Sequence, residues 1–361
     1  MSLAICGLAT VQPAQSIDQL TAAEIAQTFM GGERDVRGLP ALFRRTQVQT
    51  RSSVVLEPLV GSEPRQSFYW PTRGPQDHGP TTASRMQRYA QESVPLAAAA
   101  AEQALATATL PPMAITHLVT VSCTGFFAPG LDILLINRLR LSPTVGRLHV
   151  GFMGCHGTLN ALRAAQAWVD ANPAAAVLVC AVEICSLHFQ YGCDPDKLVA
   201  NALFADGAAA LVGKPSTGRD EAWRVVASGS YLMPDAEDGM TWRIGDHGFA
   251  MTLSPRVPDL IAQHLRPWLE TWLASAGRRL DEIRSWAIHP GGPRILTCVA
   301  QSLELAEAAI RPSAEILAEC GNMSSPTVLF ILQRLQQQGA QRPCVVLGFG
   351  PGLVAEAALL E

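Results

Sequence analysis

The chain repeats its own plan once, and a repeat of this kind leaves few folds open. Val119-Thr120-Val121-Ser122-Cys123-Thr124-Gly125 parallels Ala287-Ile288-His289-Pro290-Gly291, each an apolar strand pattern ended by a turn. Cys123 and His289 stand 166 residues apart, and Cys155 and Asn322 stand 167 apart. The apolar runs Ala176 to Cys180 and Cys344 to Gly348 lie about the same distance apart. Strand, turn and helix in the same order twice predict an α/β protein of two pseudo-duplicated halves, stacked as five layers, α/β/α/β/α. The halves are expected at 1–215 and 216–361, with Lys214 to Glu221 as the connection. Equivalent helix N-termini then face each other near the axis, which brings Cys155 to Asn322 with His289 alongside.

Each of those three residues sits at a strand-to-helix junction. Val145 to Phe152 reads as an apolar segment, and Leu159, Leu162, Ala165 and Val169 fall at helical spacing beyond Cys155. A thiol in the first turn of a buried helix feels unpaired N–H groups and the positive end of the macrodipole. Its pKa is therefore expected to fall, and its nucleophilicity to rise. His289 ends the strand Trp286 to Ile288, and Cys320-Gly321-Asn322 forms a turn opening into an amphipathic helix. A thiol, an imidazole and a carboxamide supply a nucleophile, a base and a hydrogen-bond donor. His156, beside the nucleophile, is a candidate base, but it lies about 100° round the helix from Cys155 and reads rather as a surface or packing residue.

Composition narrows the partners. At 361 residues and 48% hydrophobic, the chain can bury one large core or two closely packed halves. A net charge of −4 argues against nucleic acid. Nine cysteines with no Cys-x-x-Cys pair suggest neither a disulfide framework nor a zinc site, and no metal is expected. Met1 to Cys6 lacks a basic n-region, and no apolar run reaches about 18 residues, so no membrane association is expected and the compartment reads as cytoplasmic. Gly61 to Pro80 reads as an ordered loop over the core, leading into a helix from Thr82 to Leu105 bent at Pro95. Gly348-Phe349-Gly350-Pro351-Gly352 lacks the Lys-Ser/Thr of a phosphate loop and reads as a tight turn.

Five motifs in order carry a resemblance. They are Gly154-Cys155 with its helix, Ala202-Leu203-Phe204-Ala205-Asp206-Gly207-Ala208, His289-Pro290-Gly291-Gly292-Pro293, Gly321-Asn322-Met323-Ser324-Ser325, and Gly348 to Gly352. From about Leu42 to the C-terminus the chain resembles the type III polyketide synthases of bacterial type, the chalcone and stilbene synthase superfamily of the thiolase fold. The resemblance implies iterative decarboxylative condensation of malonyl-CoA onto an acyl-CoA starter, by a homodimer that needs no cofactor beyond its CoA thioester substrates. Cys155, His289 and Asn322 take the catalytic positions: nucleophile, ion-pair partner of the thiolate, and joint donors to the enolate.

The pocket follows by the same matching. Phe204 matches the gatekeeper phenylalanine between CoA tunnel and cavity, and Met251 stands at the second gatekeeper, where the family has phenylalanine. Cavity-lining positions correspond to Cys123, Glu183, Cys185, His188, Trp242 and Ser324. Plant enzymes carry Thr at the positions of Cys123, Cys185 and His188, and Gly at that of Trp242. The bulk of Trp242 and His188 disfavours a rigid aromatic starter, while Cys123 and Cys185 leave a more apolar wall that suits an aliphatic one. Arg44, Arg45 and Arg51 match the cluster that holds CoA phosphates, and Arg294 is a further candidate. The position where plant enzymes reach into the partner subunit with Met is Ala128 here. Pyrones or resorcinol-type rings are the expected products. Three other readings compete: a ketoacyl synthase acting once on carrier-bound malonyl, a chalcone-synthase-like enzyme taking an aromatic starter, and a non-catalytic thiolase-fold subunit.

Overall fold

The computed structural model describes residues 2–30, 38–60, 63–216 and 222–361. Most of the proposed connection, together with Gly61 and Ser62 of the expected loop, lies outside them. In the described part the duplication is written into the strand order. The first half supplies Leu3–Val11, His117–Ser122, Gly146–Gly151, Val177–Ile184 and Asp206–Pro215. The second supplies Arg224–Leu232, Ser285–Ile288, Cys344–Gly350 and Val354–Leu360.

Both halves use one topology. Ser285–Ile288 runs parallel to Cys344–Gly350, which pairs antiparallel with Val354–Leu360, which pairs antiparallel with Arg224–Leu232. In the first half His117–Ser122 runs parallel to Val177–Ile184, followed antiparallel by Asp206–Pro215 and then Leu3–Val11. The two sets meet edge to edge at Leu3↔Val225 and Ala4↔Arg224. The first half adds Gly146–Gly151 as an outermost parallel strand.

Side-chain alternation along these strands sets the layers. Val177, Val179 and Ala181 point one way, with Val346 and Ala358 of the other half, against Leu159, Leu162 and Val169 of helix Gly157–Ala171 and Val328 and Ile331 of helix Thr327–Gln337. Leu178, Cys180 and Val182 point the other way, against the small-residue face of helix Thr82–Thr107 and Leu131, Leu135 and Leu139 of helix Leu131–Leu139. In the second half Val345, Leu347 and Leu359 pack outward on Ile261, Leu265 and Leu269 of helix Val257–Ser275. The order is α/β/α/β/α, as the duplication predicts. Each buried Leu, Ile or Val contributes about 1.5–3 kcal/mol, so the central helix pair, apolar on both flanks, anchors the two halves to each other.

The helix expected to end at Leu105 runs on to Thr107, with Pro95 inside it. Outside the layers, the hairpin Met240–Gly245 and Gly248–Leu253 forms its own two-stranded sheet among the described residues. Its tip is pinned to the first half, where Thr82 donates its N–H to Asp246 O and Gln190 Nε2 bonds His247 O and Phe249 O. That hairpin carries Trp242 and Met251 across the duplication axis.

Candidate active site

Cys155 stands one turn earlier than its helical pattern suggests. Gly154–His156 is a single 3₁₀ turn, and the α-helix begins at Gly157. Gly154 has φ +77°, and a Cβ there would lie 2.4 Å from Pro351 Cδ, so the turn bearing the thiol is seated on the Gly348–Gly352 turn. A second close approach holds the other flank: a Cβ on Gly350 would meet the His156 ring at 2.3 Å. His156 is buried, with Nδ1 2.8 Å from Asn160 Oδ1, and packs as expected.

Ser324 ties the thiol to the second half. Its hydroxyl donates to Cys155 Sγ at 3.4 Å and lies 3.3 Å from Cys123 Sγ. Its backbone N–H donates to Asn322 Oδ1 at 2.8 Å. With Oδ1 so held, the Asn322 amide presents Nδ2 as its free donor. The Asn322 main chain is anchored to the first half in turn, through Asn322 N to Leu203 O at 2.9 Å and Ala205 N to Asn322 O at 2.9 Å.

His289 ends its strand as expected, its N–H donating to Leu347 O at 2.8 Å. The imidazole is 1% exposed, yet neither Nδ1 nor Nε2 has a hydrogen-bond partner. A buried polar pair left unmatched costs about 1–3 kcal/mol per group, the signature of atoms kept for a ligand. No hydrogen bond joins this ring to Cys155 or Asn322 among the described residues.

The expected ionisation is reversed. Burial pushes the Cys155 thiol up to about 12, helped by the Glu183 charge and opposed by the Ser324 hydrogen bond. Burial, with the His156 charge, takes His289 down to about 3. Burial thus favours the thiol and the neutral imidazole in the unliganded site.

Above Cys155 the free space is only about 30 Å³, walled by Cys123, Cys185, Phe204, Trp242, Met251 and Ser324. Trp242 is fixed across it by Nε1 donating to Cys123 O at 2.8 Å, with its ring centroid 5.4 Å from that of His188. His188 donates Nε2–H to Thr124 O at 2.6 Å and accepts from Phe249 N–H at 2.9 Å, so it is neutral, and burial lowers it to about 3. Behind Cys185, Phe204 and Trp242 opens a second, mostly apolar cavity of about 110 Å³, lined by Ile25, Phe29, Val55, Phe189 and His188. A third, of about 440 Å³, opens outside Leu203 and carries Arg45 and Arg294 on its walls. Met251 borders all three.

Three matched positions fall elsewhere. Glu183 lines neither inner cavity: its wholly buried carboxylate accepts from the backbone N–H of Cys123 and Thr124 and the hydroxyls of Ser122, Thr124 and Ser325. It is a post for the loop after His117–Ser122, because a buried carboxylate needs every one of those donors. Arg51 is not a surface cation. Its Nη1 donates to the carbonyls of Asn201 and Phe204, its guanidinium lies 5.3 Å over Phe43, and burial lowers it to about 10. Arg44 is exposed but opens on a different groove, beside Gln47 and Glu315. The apolar cavity itself had no sequence cue beyond the apolar residues of helix Gln19–Gln27, since its wall is built from segments far apart in the chain.

Comparison with known proteins gives the family. Residues 3–215 match the family described as chalcone and stilbene synthases, N-terminal domain, and residues 224–361 match the C-terminal domain of the same family. The chain is 33% identical, over 98% of its length and 90% of the relative's, to the alpha-pyrone synthesis polyketide synthase-like Pks18 of Mycobacterium tuberculosis. It is 38% identical to the 1,3,6,8-tetrahydroxynaphthalene synthase of Streptomyces peucetius, over 74% of the chain and 72% of the relative. The crystal structure of PKS-I from the brown alga Ectocarpus siliculosus superposes with a TM-score of 0.92 at 30% identity, covering 100% of this chain and 99% of that one. The chain belongs to the chalcone and stilbene synthase family, the acyltransferases known as type III polyketide synthases.

Proposed function

We propose that this enzyme extends an aliphatic acyl-CoA starter with malonyl-CoA and closes the product to a pyrone or resorcinol-type ring. The observation that carries the starter class is the apolar cavity behind Cys185, Phe204 and Trp242. The chamber over Cys155 is narrowed by Trp242, Phe204 and Met251, which crowds a rigid aromatic acyl group, whereas a flexible chain can turn into the neighbouring apolar space. A relative named for alpha-pyrone synthesis supports the ring type.

The first half, to about residue 215, brings the thiol, and the second, from 216, brings the imidazole and the amide. Cys155 attacks the starter thioester; its proton passes to His289 and on to the departing CoA thiolate. After malonyl-CoA loses CO₂, the enolate oxygen takes hydrogen bonds from the His289 ring and Asn322 Nδ2. The enolate carbon then attacks the Cys155 thioester, expelling the Cys155 thiolate and leaving on CoA a chain two carbons longer, which the thiolate takes back for the next round. Phe204 stands between the two inner cavities and Met251 where all three meet, and they control passage between them. CoA thioesters are substrates here, and no resident cofactor enters this scheme.

Arg45 and Arg294 are the cations we assign to the CoA phosphates, since they share the outer cavity. A panel of acyl-CoAs with malonyl-CoA, products identified by mass, tests the starter assignment. A mid- or long-chain acyl-CoA is expected to exceed 4-coumaroyl-CoA in kcat/KM by about 10–200-fold, the range of ~1–3 kcal/mol of steric discrimination. Equal or better use of the aromatic thioester sinks the aliphatic reading. In the same assay Arg45→Ala with Arg294→Ala raises KM for CoA thioesters roughly tenfold, about 1.4 kcal/mol of lost charge-assisted bonding, with kcat held. An unchanged KM places CoA elsewhere.

A homodimer is also part of this reading. Strand Gly146–Gly151 ends the sheet with its outer edge unpaired among the described residues, and Leu148, Phe152, Met153 and Phe126 stand 37–54% exposed beside it. An apolar open edge of this kind is suited to a second copy. Sedimentation is expected to give twice 38.6 kDa, and Leu148→Asp to halve it. A wild-type monomer contradicts the dimer.

Nine cysteines outside any disulfide suit a reducing cytoplasm, where CoA thioesters are available; recovery in the membrane fraction of lysed cells would argue otherwise. Among the described residues no helix is long and apolar enough to cross a membrane.

A further inference from the structure

Ser324 occupies an unusual position for a residue that only lines a wall. Its φ is +58°, the left-handed region that a serine enters at a cost of about 1 kcal/mol. It is 3% exposed, and its N–H and hydroxyl both face the reacting groups. Its N–H fixes the Asn322 amide, and its hydroxyl lies between two thiols, 3.4 Å from Cys155 Sγ and 3.3 Å from Cys123 Sγ.

A hydroxyl has one proton, so the direction of this chain matters. Cys123 sits against the Glu183 carboxylate, which accepts its backbone N–H at 2.9 Å, and is buried. Ionising a thiol beside that carboxylate is disfavoured, so Cys123 keeps its S–H and has Ser324 Oγ as an acceptor. The Ser324 proton is then left for Cys155. We propose that Ser324, oriented by Cys123 and Glu183, is a positioning residue that supplies the hydrogen-bond donor to the Cys155 sulfur as it becomes the attacking thiolate. Of the titratable groups facing Cys155, the Glu183 charge opposes its ionisation, while Cys123 and Cys185 are buried thiols of the same chamber. Ser324 is thus a neutral side-chain donor set against the Glu183 charge and burial, which hold the sulfur protonated.

This rests on Cys155 being the nucleophile, so the test reads the thiol without turnover. Iodoacetamide labelling of Cys155, followed on its own peptide by mass, gives a rate at each pH from 7 to 9. Ser324→Ala is expected to slow labelling about tenfold throughout, displacing the log rate against pH by about one unit to the alkaline side. Ser324→Gly, which suits the left-handed backbone, is expected to slow it equally, separating loss of the hydroxyl from relief of strain. Cys123→Ala is expected to produce part of the displacement, and Cys123→Ser, which keeps a donor, to abolish it. Wild-type rates in Ser324→Gly overturn the proposal, as does identical behaviour of Cys123→Ala and Cys123→Ser. If instead wild-type Cys155 takes no acyl group from any starter CoA, the nucleophile assignment fails and not the donor.

Discussion

Cys155→Ala is expected to form no polyketide from any starter CoA, a loss of roughly 10³-fold or more, with the fold intact. The side chain keeps a partial opening to the chamber, and its side-chain hydrogen bond from Ser324 is long at 3.4 Å. Its removal therefore costs at most about 1 kcal/mol of stability. The Asn322 amide is untouched, because its orientation comes from Ser324 N and its main chain from Leu203 and Ala205. Malonyl-CoA decarboxylation is consequently expected to survive in Cys155→Ala although condensation does not. Circular dichroism and a thermal melt check the fold, and product mass checks the loss. Polyketide formed at wild-type rate by the alanine variant would remove Cys155 from the mechanism.

The opposite pattern is expected of the other two residues. Asn322→Ala and His289→Ala are each expected to slow malonyl-CoA decarboxylation by about 10²–10³-fold, the measured cost of losing one donor to a developing oxyanion. For His289 the argument starts from two buried ring nitrogens with no partner in the protein. For Asn322 it starts from an amide whose acceptor end is already held, leaving the donor end for substrate. Acyl transfer from the starter is expected to weaken in His289→Ala and to persist in Asn322→Ala, since only the imidazole exchanges the thiol proton. Following CO₂ release and acyl-enzyme formation separately resolves the two. Decarboxylation unaffected by Asn322→Ala would return that residue to a turn-forming role.

Much of this site is legible in the residues alone, and the reasons are local. Cys155, His289 and Asn322 each end a strand or open a helix, and such junctions leave turn residues and period changes in the sequence. The equal spacings of 166 and 167 residues report the duplicated topology, which is visible as the same strand order in both halves. What escapes is what depends on burial. Arg51 reads as one more exposed cation until its guanidinium is found on the carbonyls of Asn201 and Phe204. Glu183 reads as a cavity wall until five donors are counted onto its carboxylate. The sign of the Cys155 shift fails for the same reason: a helix terminus is a local feature, while desolvation is a property of the whole surrounding fold.

A neutral resting pair has a consequence for loading. With Cys155 a thiol and His289 an uncharged imidazole, the nucleophile is made only when the proton leaves with the incoming thioester in place. With the imidazole uncharged throughout and the thiol proton passing on to the departing CoA, acyl transfer is expected to stay flat from pH 6 to 9. A rate that rises about tenfold per pH unit would mean that free thiolate, and not the His289 route, carries the attack.

The central claim is that the acyl chain is carried by Cys155, in a chamber that also holds the thiols of Cys123 and Cys185. The most direct measurement is the intact mass of the wild-type enzyme mixed with one acyl-CoA in the absence of malonyl-CoA, followed by peptide mapping of the adduct. A single added acyl group on the peptide containing Cys155 is the predicted result. An adduct on the peptide of Cys123 or Cys185, with Cys155 free, would contradict it.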